Sequence, residues 1–404
     1  MIKRIIIQDF FSFKGKNIIE LNPGVNLLLG INGSGKTSFL NALRLLFEGV
    51  SGIGFESIFQ KQWGGYYQVA NANGNRDVPY IQITYVFDPV TLKRMNPSSP
   101  FDDDVNYCIS IFQLGATGYT IREKLYSSHK GGGGDNFLYL DFKNGIGKLS
   151  VRGETGSIKF EEYKDGDVSG QELVLRQIMD PSRYLPSHAI RKAIDSISIY
   201  GYFDTGSSSK LRFPTEFSST VKLQKNGENL SQLLNQFKIN KTLVYNKIEE
   251  NLAKINPTYK SIEFANFSSQ LYLSLREINL DKTIGALHIS DGTLRFLLLM
   301  CIFYNPERGC IIGIDEPESG LHPDMIKSIG DMMKEATRES QLIIATHSPL
   351  LLNQFELEDV FVFEKDEENK TTVNHLSESN FPDWEGDFLP GQMWLRGQIG
   401  AKRW

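Results

Sequence analysis

The residues best equipped for chemistry lie in one stretch, Gly30-Ile31-Asn32-Gly33-Ser34-Gly35-Lys36-Thr37-Ser38. Glycine at the first and sixth places, followed by lysine and a hydroxyl residue, is the spacing of a loop that wraps a polyphosphate. The task dictates the residue types. Backbone N–H groups must turn inward around phosphate oxygens, which needs small residues with permissive φ and ψ. Lys36 would bring positive charge to the β- and γ-phosphates, and the Thr37 hydroxyl is a hard ligand for Mg²⁺. The expected nucleotide-binding residues are Gly30, Asn32, Gly33, Ser34, Gly35, Lys36, Thr37 and Ser38, and the implied cofactors are ATP and Mg²⁺.

Three later stretches add groups of a matching kind. Cys310 to Glu318 reads CIIGIDEPE, an apolar strand that ends in carboxylates. Asp315 is expected to hold Mg²⁺ beside Thr37, and Glu316 to orient and activate an attacking water. Leu342 to Pro349 reads LIIATHSP, a second apolar strand with His347 at its C-terminal end. In an open α/β sheet ligands sit at that end, so His347 reads as a sensor of the γ-phosphate. Ser290-Asp291-Gly292-Thr293 opens an apolar helix and offers an anion a hydroxyl and free N–H groups. Alone, that last stretch is an ordinary helix N-cap.

These groups need elements to position them. Val25 to Leu29 is an apolar run that reads as a buried strand. Phe39, Leu40, Leu43, Leu46 and Phe47 follow the loop at helical spacing, and Gly49 closes that helix. Ile5 to Gln8 and Asn17 to Leu21 read as strands. Phe10, Phe11, Phe13 and Lys14, between them, either face a nucleotide base or belong to the core. Tyr80 to Phe87, Tyr107 to Gln113, Tyr119 to Leu125, Phe137 to Asp141 and Ile158 to Tyr163 predict an antiparallel meander. Asp102, Asp103 and Asp104 predict a solvated turn, and Gly131 to Gly134 a loop tip. From Gln171 to Pro257 the pattern becomes helical, and from Ile262 to Leu280 it alternates again. Pro323 starts a helix with Met325, Ile326, Ile329, Met332 and Met333 on one face.

The whole composition bounds the class. The chain has 404 residues, 40% of them hydrophobic and 23% charged, as in an ordinary globular protein. Its net charge of −5 gives no overall attraction for nucleic acid or an anionic membrane. Cys108, Cys301 and Cys310 are three, widely spaced, and form neither a disulfide framework nor a zinc motif. No stretch reaches the ~18 apolar residues of a membrane span. A cytoplasmic location and no membrane partner are expected.

The order of these motifs resembles the ABC-type ATPase heads of the SMC, RecF and OLD group. The resemblance rests on the P-loop, S-D-G-T, I-D-E-P-E-S-G-L-H-P and A-T-H-S-P. It implies an α/β fold, an ABC-type P-loop ATPase head with a mixed sheet, an antiparallel β lobe and a helical insertion. It implies an N-terminal lobe over 1–170, the insertion over 171–257 and a C-terminal lobe over 258–404. Gly30 to Ser38 becomes Walker A, Ser290, Asp291 and Gly292 the signature, and Asp315 the Walker B aspartate. Glu316 becomes the catalytic glutamate, Ser319 to Pro323 the D-loop and His347 the switch histidine, with Glu316, His347 and Lys36 as catalytic residues. In such families the signature of one protomer binds the γ-phosphate held by the other, so a homodimer sandwiching ATP is implied. Asp291 stands where many relatives have glycine. Neither Gln62 nor Gln68 is singled out as the Q-loop glutamine. A zinc hook, a long coiled coil and a TOPRIM acid cluster are not recognised. The ending Trp394-Leu395-Arg396-Gly397 resembles a subgroup of stand-alone bacterial AAA-family ATPases from two-gene anti-phage defence systems, implying a separate TOPRIM-like nuclease partner. A RecF-like repair role, with contact to nucleic acid, is the alternative. A transporter motor fits poorly, because its signature follows the P-loop closely.

Overall fold

The computed structural model describes residues 1–401 apart from 72–77, 128–135, 153–157, 268 and 382–387. Its centre is a six-stranded sheet in the order Ile197–Tyr200, Ile311–Asp315, Gln341–Thr346, Val25–Leu29, Val360–Lys365, Thr371–His375. The first five strands are parallel and the last is antiparallel. An eight-stranded antiparallel sheet runs Phe13–Glu20, Ile2–Phe10, Ile81–Phe87, Val105–Leu114, Gly118–Ser127, Phe137–Lys143, Ile146–Arg152, Ile158–Tyr163.

The parallel strands are apolar on both faces because both faces are covered. Successive side chains point to opposite sides, and the strands divide their residues accordingly. Leu28, Ile343, Ala345, Phe361 and Phe363 join a core with helix Lys36–Val50 and the antiparallel sheet. Leu27, Leu29, Leu342, Ile344, Val360 and Val362 join a second core with helices Asp291–Phe303 and Pro323–Ala336. Helix Lys36–Val50 is further fastened by the Tyr85 hydroxyl, which donates to the Ala42 carbonyl at 2.6 Å.

The expected meander is present and longer than read. Strand Ile146–Arg152 pairs with Phe137–Lys143 across Asn144-Gly145, both at positive φ. Asn-Gly is the strongest short hairpin signal, because both central residues of a type I′ turn need positive φ. Gln171 to Pro257 contains helices Val174–Gln177, Leu185–Asp195, Leu230–Asn240 and Thr242–Ile255. It also supplies Ile197–Tyr200, which takes the edge of the parallel sheet beside Ile311–Asp315. Four residues are too few to show a period against helical surroundings. The segment is thus partly inside the fold rather than a pure insertion.

Among the described residues the longest helix is Lys36–Val50, at 15 residues, and none is long and apolar enough to cross a membrane. Asp102 pairs with Lys93, and Asp104 with Lys3 at 2.9 Å, as befits a charged turn. Gly131 to Gly134 lies outside the described residues.

Glu123 is buried on the inner face of the antiparallel sheet. It accepts the N–H groups of Val174 (2.6 Å) and Leu175 (3.2 Å) and the Tyr107 hydroxyl (2.8 Å). Burial pushes its pKa from 4.5 up to about 7 against those bonds. Between these values the folded protein keeps a proton that the unfolded chain has released. This stability is fully present below about pH 4.5 and falls as pH rises through about 7. Glu123→Gln is expected to flatten that slope, which is at most about 1.4 kcal/mol per pH unit. Urea unfolding at a series of pH values across the window measures it.

Candidate nucleotide site

The register of the parallel sheet sets Leu29 opposite Thr346 and Asp315 opposite Ala345. Three strand ends therefore lie side by side: the one leading into Gly30, the one ending at Asp315-Glu316, and the one leading into His347. All the chemistry at these ends comes from residues just past a buried strand.

The loop from Gly30 to Ser38 is closely packed. A Cβ on Gly30 would overlap Ser34 Oγ and the Phe363 carbonyl. Gly35 opens the helix at φ 114°, where a side chain is strained, and a Cβ there would overlap Thr371. Lys36 is only 5% exposed, and its Nζ donates to the carbonyls of Gly30 (2.6 Å) and Ile31 (3.1 Å). Burial lowers its pKa, opposed by the charges of Asp315, Glu316 and Glu318. Asn32, Gly33 and Thr37 are exposed.

Thr37 Oγ1 donates to Asp315 Oδ2 at 3.3 Å. Burial and the charge of Glu316 raise the Asp315 pKa, while Thr37, Lys36 and His347 lower it. A hydroxyl and a carboxylate this close suit one hard cation, and a cation would offset what now disfavours the Asp315 charge. Thr37 and Asp315 are the residues that could hold Mg²⁺.

Glu316 sits at φ 50°, in the left-handed region that a non-glycine residue rarely occupies. Its N–H donates to the Ala345 carbonyl at 2.9 Å, which holds it there. The conformation delivers Glu316 Oε1 to 3.0 Å from His347 Nδ1. Such backbone strain concentrates at functional sites. Glu318, unassigned from sequence, is the support beneath this pair. Its Oε1 accepts the Thr346 hydroxyl and the His347 N–H (3.2 Å). Its buried Oε2 has no hydrogen-bond partner among the described residues, and burial raises its pKa. The second glutamate of I-D-E-P-E was the available signal.

The stretch Ser290 to Thr293 is first a helix cap. Ser290 Oγ accepts the Thr293 N–H at 3.2 Å. Ser290 and Asp291 remain exposed. Asp291 is paired with Arg212, which the sequence reading missed. Arg212 is 5% exposed and donates to the carbonyls of Thr205 (2.8 Å), Ala286 (2.7 Å) and Ile289 (2.7 Å), among others. An isolated arginine in a loop carries no sequence signal of this kind. Arg295 donates to the Ser319 carbonyl, and a Cβ on Gly292 would lie 3.1 Å from the Gly320 carbonyl. The cap and Ser319-Gly320 thus form one surface, continuous through the chain with Glu316.

Phe10 and Phe13 are fully buried, so they are core residues. Phe11 is half-buried with its ring 5.3 Å from that of Trp63, and Lys14 pairs with Glu368. Gln62 accepts from Arg44 at 3.0 Å, and Gln68 is exposed.

Known structures share this fold. A solved structure titled "Crystal structure of the SmcHead bound to the C-winged helix domain of ScpA" superposes with a TM-score of 0.58, at 14% identity, over 94% of this chain and 99% of that one. The fold is that of these SMC heads, an α/β fold of the ABC-type P-loop class. A second Smc head with an extended coiled coil, bound to the C-terminal domain of ScpA derived from Pyrococcus furiosus, gives a TM-score of 0.54 at 14% identity, over 95% of this chain and 98% of that one. A family model described as "AAA domain, putative AbiEii toxin, Type IV TA system" matches residues 180–353 of this head. The DNA replication and repair protein RecF of Vibrio vulnificus, strains YJ016 and CMCP6, is 52% identical over 50 residues. That match covers 12% of this chain and only 14% of the RecF length.

Arg212 offers a direct test of how the cap surface of the head is built. Arg212→Ala would leave buried carbonyls without their donor, and is expected to cost about 1–3 kcal/mol. Arg212→Lys should recover only part, since an ammonium lacks the planar fork. Denaturant unfolding of both variants checks the order.

Proposed function

We propose that this chain binds and hydrolyses ATP as a dimeric switch that controls a separate effector. The observation that carries this is the meeting of Glu316 and His347 beside Thr37 and Asp315, at three adjacent strand ends. Walker A N–H groups and Lys36 bind the phosphates. Thr37 and Asp315 would hold Mg²⁺, which when bound would supply charge neutralisation to the phosphates. Glu316 orients and deprotonates the attacking water. His347, fixed through Glu318, holds the Glu316 carboxylate and reports on the γ-phosphate.

What is exposed supports a dimer. Asn32, Gly33, Thr37, Ser290, Asp291, Gly320 and His347 face solvent, while the groups that hold them are buried. Two copies about a twofold axis would each complete the other's site with Ser290, Asp291 and Gly292, an isologous arrangement. Closure then depends on ATP, and hydrolysis releases it.

The effector we propose is a TOPRIM-like nuclease, held or released in anti-phage defence. The resemblance of the W-L-R-G stretch supports the nuclease, and the matched family description, which names a putative AbiEii toxin of a type IV TA system, bears only on the toxin and defence setting. In the fold that stretch is an anchored part of the head. Trp394 is buried, and its Nε1 donates to the Ala401 carbonyl at 3.1 Å. The second reading, favoured by the RecF match, is a DNA-binding repair ATPase. It predicts ATP-dependent DNA binding that weakens steeply with salt.

Glu316→Gln is expected to bind ATP, lose about a hundredfold or more in phosphate release, and accumulate as a dimer in light scattering. Unchanged turnover would remove Glu316 from its role. Lys36→Ala is expected to lose ATP binding, measured by calorimetry. Tagged Glu316→Gln, captured with ATP from its native host and analysed by mass spectrometry, separates the two readings. A stoichiometric small nuclease supports the effector reading, and DNA with repair proteins supports the other.

A further inference from the structure

We propose that Thr371, braced by Ser12, is a positioning residue of the nucleotide site, which aims a phosphate-binding N–H through the hydrogen bond of its hydroxyl to the Ser34 carbonyl. The proposal rests on the nucleotide-site reading above and extends it to two residues outside every motif.

Four groups line up. Ser38 Oγ lies 3.0 Å from Ser12 Oγ. Ser12 Oγ lies 2.7 Å from Thr371 Oγ1. Thr371 Oγ1 lies 2.9 Å from the Ser34 carbonyl oxygen. A carbonyl has no proton to give, so Thr371 must donate to it. Each hydroxyl has one proton. Thr371 Oγ1 therefore shares its one proton between the Ser34 carbonyl and Ser12 Oγ, and Ser12 Oγ in turn donates to Ser38 Oγ.

That last bond matters because of peptide geometry. In a trans peptide the C=O of Ser34 and the N–H of Gly35 point in opposite directions. Anchoring the Ser34 carbonyl on Thr371 turns the Gly35 N–H to the other side of the loop. Gly35 is at φ 114°, and Thr371 fills the space a Cβ would need. The same two residues are locked to each other by the backbone, since the Thr371 N–H donates to the Ser12 carbonyl at 2.9 Å. Thr371 is fully buried. It begins the last strand of the central sheet, whereas Ser12 lies in the turn between the first two strands of the antiparallel sheet. The loop is therefore held from outside by one residue of each sheet, not only by its own strand and helix.

The chemistry separates a hydroxyl role from a packing role. Thr371→Val keeps the shape and removes the donor. Thr371→Ser keeps the donor and removes a methyl. Ser12→Ala removes the competing acceptor and leaves the Thr371 proton to the Ser34 carbonyl.

ATP·Mg²⁺ affinity of the full chain is measured by calorimetry, alongside the unfolding midpoint of the same proteins without nucleotide. Thr371→Val is expected to weaken binding about tenfold, equivalent to about 1.4 kcal/mol. Thr371→Ser and Ser12→Ala should both stay within about twofold of wild type. The unfolding midpoints should lie within about 4 °C of wild type, since one net hydrogen bond is lost. Wild-type affinity in Thr371→Val overturns the proposal while leaving the nucleotide-site reading intact. Equal weakening in Thr371→Ser overturns it too, by showing that shape decides. Should Thr371→Val fail to fold, Thr371→Ala against Thr371→Ser carries the test, and equal affinity in the two overturns the proposal. A wild-type protein that binds no ATP overturns both the proposal and the reading beneath it.

Discussion

A parallel strand covered on both faces cannot slip by one residue, because every side chain would move to the wrong core. That constraint governs this protein. Leu27 and Leu29 belong to one core and Leu28 to the other, and the neighbouring strands divide in the same way. Register is thereby locked across Ile311–Asp315, Gln341–Thr346 and Val25–Leu29. The positions of Gly30, Asp315 and His347 follow from it. Residues that are nearly three hundred apart in the chain meet because apolar side chains elsewhere leave them no alternative.

The polar groups below the surface then refine what the register provides. Glu318 ties the Thr346 hydroxyl and the His347 N–H to the turn that follows Asp315. Arg212 gathers the carbonyls around Ala286 and Ile289 and meets Asp291. Each is buried, so each would be costly without its partners. Their effect is to hold exposed chemistry on buried supports. Lys36 shows the same logic in the loop itself, with its ammonium on the Gly30 and Ile31 carbonyls and its pKa lowered by burial.

Such a division also suits a site completed by a second copy. Groups that wait for a partner must stay on the surface, and groups that set their geometry must not move. The cap at Ser290 and the turn at Ser319-Gly320 share one surface, with Arg295 bridging them. Glu316, at its unusual φ, stands between that surface and His347.

Much of this could be read from residue order alone. The P-loop spacing, the carboxylates after an apolar strand and the histidine after another are local patterns, and local patterns survive in a sequence. The antiparallel meander was visible for the same reason, since alternation and turn residues are short-range. Ile146–Arg152 was overlooked although Asn144-Gly145 announced its hairpin. Other features leave no local trace. Ile197–Tyr200 is too short to show a period, and it becomes a strand only because Ile311–Asp315 offers it an edge. Arg212, Ser12 and Thr371 look like ordinary loop and strand residues. Their roles come from partners 79, 26 and 337 positions away in the chain. The chemistry that this chain can attempt is written in its motifs, because phosphate and metal chemistry demands particular residue types at fixed spacing. The angles and contacts at which those groups are held arise from packing between distant segments, and packing is a property of the folded molecule.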